Sequence, residues 1–207
     1  MLAESEGRRL NEQDIVAAIP AEIRDAVAGS VLYSGRSAWV RSTRPEIYLL
    51  GYNPGGVSGN DANTLGQQAA KMLEAERWSS YEDESWGPAK GMSPMQVRIK
   101  DLFRELKIDL RGTPASNVVF ARSSQIAHLE GSTRRQWETV CWQFHKTMIE
   151  HLQPKIVLVL GNDAEAFVTT QQPPVPVVKV RHTSRSARSW GLDAAPIVRA
   201  ALDRARN

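Results

Sequence analysis

The chain has 207 residues, 42% apolar and 24% charged with a net charge of +3, enough to bury one sizeable core and too apolar for a disordered chain. Its single cysteine, Cys141, excludes an intramolecular disulfide and a cysteine-built zinc or iron–sulfur site, so neither a metal nor another cofactor is implied. The longest apolar run, IVLVL at 156–160, is far too short to span a bilayer, and MLAESEGRRL at the N-terminus lacks an apolar targeting core; a cytoplasmic monomer with no membrane partner is the expectation.

Residues 1–30 read as a helical cover, one or two short helices interrupted at Pro20, with Ile15, Val16, Ile19, Ile23 and Val27 along an apolar stripe. After Pro45, EIYLLG is a short buried strand that ends in the turn-forming run NPGG. Residues 57–92 are polar and rich in Gly, Asn and Ser, with one helical piece around 65–78; excursions of this length are more often functional than structural. Ser93 offers an N-cap with Pro94 at the first helical position, and Met95, Ile99, Leu102, Phe103 and Leu106 share one face, which predicts a helix to about Lys107. SNVVFA at 116–121 is a second buried strand. Thr133 with Gln136 forms a capping-box pattern that opens a long helix, with Trp137, Val140, Cys141, Phe144, Met148 and Leu152 as its core face. KIVLVLG at 155–161 is a third strand, followed by a short helix capped by Asn162 or Asp163 and a Pro173–Pro174 turn. VPVVKVRH is the fourth strand, and a last helix runs over about 194–205.

Four short apolar runs alternating with helical patterns predict a three-layer α/β/α fold around a central, mostly parallel four-stranded sheet, as one domain over 1–207. Ligands of open α/β sheets bind outside the carboxyl ends of the strands. The segments that follow the four strands are therefore expected to converge: NPGG; Arg122 with two serines; Gly161–Asn162–Asp163; and His182–Thr183–Ser184–Arg185. In the first of them Pro54 pushes Asn53 into an extended conformation, and Gly55 and Gly56 leave backbone amides bare enough to meet a ligand, although the same run also serves as a plain strand-to-helix turn. Asn117, inside an apolar strand, is either a ligand reader or a side chain that bonds neighbouring backbone. His128, His145 and His151 occupy loop or helix positions and read as structural or solvated, whereas His182 ends a strand beside Arg181 and Arg185. Arg181, Arg185, Arg188, Arg199, Arg204 and Arg206 crowd the end of the chain, which hints at a polyanionic partner.

Taken in order and separation, GYNPGG, TPASNVVFAR at 113–122, QPKIVLVLGNDAEAF at 153–167 and VRHTSR at 180–185 resemble the motifs of the uracil-DNA glycosylase superfamily over about residues 45–190. GYNPG is similar to the first motif of the mismatch-specific and thymine-DNA glycosylases, and the later motifs to those of the family-four enzymes, whose four iron–sulfur cysteines are missing here. The usual proline of the last motif is replaced by Thr183, and the stretch from Gly56 to Met92 is longer than in most members. The resemblance implies a monofunctional, metal-independent DNA glycosylase of base excision repair, acting on uracil or a related deaminated base in DNA. It implies Asn53 as the catalytic group that orients water, His182 as a catalytic group near the base's O2, and Asn117 as the reader of the base edge, with Gly51, Tyr52 and Gly55 of the first motif at the base. Ser184 becomes a phosphate contact, joined by Arg181, Arg185 and Arg188 of the basic segment. An Asn amide suits that reading task, since it accepts from uracil N3–H and donates to O4. Trp86 in ESWGPAKGM, or else the region of Met92, is expected to meet the flipped base, although with six tryptophans a core or lid role fits Trp86 equally. The alternatives are a non-catalytic nucleic-acid-binding or damage-sensing module on the same fold, and a small-nucleotide-binding protein, for which no complete phosphate-loop fingerprint is present.

Overall fold

The computed structural model describes residues 10–40, 44–55, 63–87, 89–122, 131–183 and 189–206. Its centre is a four-stranded, all-parallel sheet in the order β2-β1-β3-β4, formed by β1 (Ile47–Gly51), β2 (Ala115–Asn117), β3 (Ile156–Leu160) and β4 (Val177–Val180). Strand residues alternate between two buried faces, as the two-residue period requires. Tyr48, Leu50, Tyr52, Val157 and Val159 point to one core. Ile47, Leu49, Ile156, Leu158, Leu160, Val178 and Val180 point to the other. That double burial explains why β1 and β3 read as unbroken apolar runs.

The first core is closed by α1 (Glu12–Ala17), α2 (Ala21–Arg24), α3 (Arg36–Trp39), α4 (Leu65–Glu74), α7 (Gly131–Leu152) and α8 (Asn162–Thr170). The second is closed by α5 (Ser80–Asp83), α6 (Pro94–Leu106) and α9 (Trp190–Arg206). The three-layer α/β/α arrangement expected from the sequence is thus present, and Pro20 separates α1 from α2 as the N-cap of the latter. Ser93 caps α6 in a reciprocal box with Gln96, with Pro94 in the first turn, and the helix stops at Lys107 in the left-handed region.

Several boundaries differ from the sequence reading, each for a local reason. β2 is three residues long, because Val118 and Val119 keep bonding to the carbonyls of Gly51 and Tyr52 only as the chain turns away from regular pairing. α7 is already helical at Gly131, so Thr133 lies inside its first turn and is not the cap. α8 is capped by Gly161 at φ 92°, with Asn162 as its first helical residue and no side-chain cap. α9 begins at Trp190, four residues before the expected start, and carries Pro196 inside it. The carbonyl that Pro196 leaves without a helical donor belongs to Leu192, which is 57% exposed and can be solvated. No described helix is long and apolar enough to cross a membrane.

Candidate functional site at the carboxyl edge of the sheet

Parallel strands deliver their carboxyl ends to one edge. There Gly51 of β1 pairs with Asn117 of β2, and Gly161, which follows β3, accepts its place from Val180 of β4 through a 2.9 Å bond from its N–H to the Val180 carbonyl. Because β3 lies between β1 and β4, the described parts of the four segments singled out in the sequence, Asn53 to Gly55, Arg122, Gly161 to Asp163 and His182 to Thr183, lie along this edge.

Asn117 is 5% exposed and is held from several sides. Its side-chain oxygen lies across Gly51 so closely that a Cβ on Gly51 would overlap it. The Tyr33 phenol lies within reach of the side chains of Asn117 and Ser30. Burial pushes the Tyr33 phenol up to about 12, so it stays protonated despite the nearby Arg122. The Asn117 carbonyl takes a 2.8 Å bond from Nε2 of His145. Gly51→Ala is accordingly expected to cost about 2 kcal/mol, the ordinary penalty for forcing a methyl into a filled site, and to displace the Asn117 amide. Urea denaturation measures the first effect; a stability equal to the parent's would show that the amide has room to move.

Around Trp86 the structure holds a group of rings rather than one. Trp86 is half-buried and packs edge-on against Tyr33 and Tyr81, at 5.9 and 5.3 Å between ring centroids, while its indole N–H donates to Glu84 at 2.8 Å. Tyr33 thereby joins Trp86 to Asn117. Met92 is 57% exposed on a groove lined by Lys100 and Arg104, apart from these rings.

The NPG turn is tied down at both sides. Asn53 is half-buried and donates from Nδ2 to the Pro54 carbonyl at 3.1 Å, which fixes the plane of its amide. Arg122 donates to the Gly55 carbonyl and to Ser30 Oγ, both at 2.9 Å, so one guanidinium braces the turn against the segment that carries Tyr33. Gly55 is exposed, and a Cβ there would meet nothing within 4 Å, so the protein's own packing does not demand a glycine. Tyr52, expected at the base, turns its side chain into the first core instead, since one residue past β1 it continues the alternation that puts Tyr48 and Leu50 on that side. Its hydroxyl donates to Glu138 at 2.6 Å, and Arg134 stacks 4.9 Å from the ring centre while bonding Glu138 and Asp163. Burial, followed by the Glu138 carboxylate, drives the Tyr52 phenol well above its ordinary range.

At the far side of the edge, Gly161 lies directly against His182, which is half-buried. Two long side chains hold the backbone of this loop: the Trp190 indole donates to the Arg181 carbonyl at 2.8 Å, and Arg98 donates to the Thr183 carbonyl at 2.6 Å. Arg181 itself is exposed. Ser184, Arg185 and Arg188, like Gly56 and His128, lie outside the described residues. The rest of the late arginines do not join the site. α9 runs back along β4, and Arg199 and Arg206 line a cavity of about 450 Å³ with Glu46, Lys107 and Asp109 at the opposite end of the sheet, where Arg206 pairs with Glu46. Among the described residues the late arginines are therefore split in space, with Arg181 at this edge and Arg199 and Arg206 at the other.

Tyr33, Arg98, Glu138 and His145 are the functional candidates that sequence reasoning missed, because each acts through a partner far away in the chain. Among the described residues no group of three His, Cys, Asp or Glu side chains is placed to hold a metal ion. No protein-family model matches this chain, and no curated protein is significantly similar to it.

Proposed function

We propose that the chain is a DNA glycosylase that flips a uracil-like base from DNA and hydrolyses its N-glycosidic bond. The observation that carries the reading is the Asn117 amide laid across Gly51 at the carboxyl edge, with the Tyr33–Trp86 ring group beside it and the Asn53 turn two residues away. A base edge needs paired donor and acceptor groups and a flat apolar wall, and these residues supply both kinds. In the hydrolysis the water oxygen bonds to the sugar C1′ as the C1′–N bond breaks; the electron pair leaves with the base, and the water gives up a proton. Charge builds on the departing base rather than on the attacking water, so an uncharged Asn53 can serve by orienting the water, while His182 faces the base's O2. The open space at Gly55 is room in which a ligand can approach the turn's backbone.

A second reading keeps the pocket without the reaction: a nucleic-acid-binding, damage-sensing module. It is favoured by the amide at Asn53, where a carboxylate would activate water more strongly. Labelled oligonucleotides bearing uracil, hypoxanthine, xanthine or a G·T mismatch, treated with the protein and then with alkali, separate the two. Strand cleavage at uracil is expected. Binding without cleavage at any of the bases selects the second reading. With an active parent, Asn53→Ala should retain DNA binding and lose single-turnover rate. Asn117→Asp puts a carboxylate against uracil O4 and should cost about 2 kcal/mol of recognition, lowering uracil excision selectively. Unchanged relative rates on the different bases would reject the role of Asn117.

A further inference from the structure

We propose that His145 is a positioning residue for Asn117: a buried imidazole, locked in one tautomer, that sets where the base-reading residue stands. The assignment rests on the reading of Asn117 given above and deepens it.

Just before β2 the carbonyl of Pro114 accepts from Leu49 N–H of β1, and just after it Val118 N–H donates to the Gly51 carbonyl, so the alternate residues Ala115 and Asn117 turn their carbonyls to the strand's outer edge. Ala115 is satisfied there by the backbone N–H of Tyr33 at 2.9 Å. The next outward carbonyl, that of Asn117, is taken by Nε2 of His145 at 2.8 Å, reaching across from α7. On the other side of the ring, Nδ1 lies 2.9 Å from the hydroxyl of Tyr48 on β1. His145 is fully buried, with the rings of Tyr48, Phe120, Trp142 and Phe144 between 5.3 and 6.0 Å away.

The proton count fixes the tautomer. Burial keeps the imidazole neutral, so it holds a single N–H. A carbonyl oxygen can only accept, so that N–H must be at Nε2. Nδ1 then carries a lone pair and accepts from Tyr48, whose buried phenol keeps its proton. The chain Tyr48 O–H to His145 to Asn117 C=O therefore runs in one direction and ties β1 and α7 to the last residue of β2. An aromatic or aliphatic side chain of similar size would fill the same space, but it would leave the Asn117 carbonyl only the long 3.5 Å contact from the Ser116 hydroxyl, which itself donates to the Val31 carbonyl at 2.6 Å, at the point where the side-chain amide must be held.

The test is a mutant cycle read by single-turnover uracil excision, with His145→Leu and Asn117→Ala alone and together, and thermal unfolding followed in parallel. His145→Leu should slow excision about tenfold when Asn117 is present and less than about twofold in the Asn117→Ala background. His145→Gln, whose amide can donate to the same carbonyl, should recover most of the loss. An equal fold-loss in both backgrounds, or a parental rate in His145→Leu, overturns the assignment. Should His145→Leu fail to fold, Tyr48→Phe replaces it in the same cycle, since loss of the donor to Nδ1 loosens the ring that bonds Asn117 while keeping its N–H at Nε2; about a threefold loss that vanishes without Asn117 is then expected. If the parent excises no base from any oligonucleotide, the glycosylase reading fails by itself and nitrogen NMR decides the positioning claim. A protonated Nε2 with side-chain amide signals of Asn117 that move in His145→Leu and return in His145→Gln supports it; a protonated Nδ1, or unmoved Asn117 signals, rejects it.

Discussion

Gly161→Ala is expected to lower the free energy of unfolding by about 4 kcal/mol, the sum of two penalties of ordinary size. The first is backbone strain. Gly161 caps α8 at φ 92° and ψ 175°, a region that only glycine occupies readily. The second is contact, since the new Cβ would come within 2.9 Å of the His182 Cβ. Neither partner can relax freely: the Gly161 N–H is bonded to the Val180 carbonyl, and the loop that carries His182 is held through Arg181 by Trp190 and through Thr183 by Arg98. Relief must therefore come from shifting His182, so the variant is also expected to lose excision even under conditions where it is folded. Gly55→Ala is the control, because its Cβ would enter open space; it should leave the urea midpoint unchanged. If the two alanine variants unfold at the same urea concentration, the crowding between β3 and β4 at this edge is not what holds the loop.

How far the sequence discloses this site follows from how local its determinants are. The strands declare themselves because burial on both faces leaves continuous apolar runs in β1 and β3. The position of the site follows from parallel topology alone, which is why Asn53, Asn117, Gly161 and His182 could be assigned to one edge without coordinates. Caps are harder to read where backbone geometry rather than a side chain decides them. Asn162 and Asp163 are good capping residues by composition, yet the turn out of β3 needs a positive φ that Gly161 provides, so the cap falls one residue earlier. α9 starts earlier than its sequence suggests and carries Pro196 inside it, at a place where the residue four before it, Leu192, is exposed. Tyr33 gives no periodic signal. It belongs to an irregular segment whose backbone pairs with Ala115, and its meaning comes only from that pairing. His145 is the extreme case: its ring bonds Tyr48 across 97 residues and Asn117 across 28, and nothing in the surrounding helix distinguishes it from a histidine that merely fills space.

The same burial makes His145 a source of acid sensitivity. Desolvation pulls its pKa down from the ordinary 6.5 to about 4, because charging the ring inside an apolar box is costly, and the bond to the Asn117 carbonyl, with the neighbouring Val118 backbone, offsets that only in part. In the unfolded chain the imidazole regains its ordinary pKa and binds a proton sooner than the folded protein does. The contribution is therefore fully present above about pH 6.5 and is lost progressively as the pH falls toward 4, where the loss has reached about 3 kcal/mol. Carboxylates whose pKa values are lowered in the folded state, such as Asp83 beside Arg111 and Glu46 beside Lys155 and Arg206, lose their own contributions as they are protonated at lower pH. The two kinds of group are separated by comparing the parent with His145→Gln, which lacks the titrating ring but retains every carboxylate. Between neutral pH and about pH 4 the parent should lose about 3 kcal/mol more than the variant, as measured by urea denaturation at each pH. Parallel curves for the two proteins would mean that His145 is protonated in the fold as readily as in water, which is incompatible with a neutral ring that donates from Nε2 to a carbonyl and accepts at Nδ1 from a phenol.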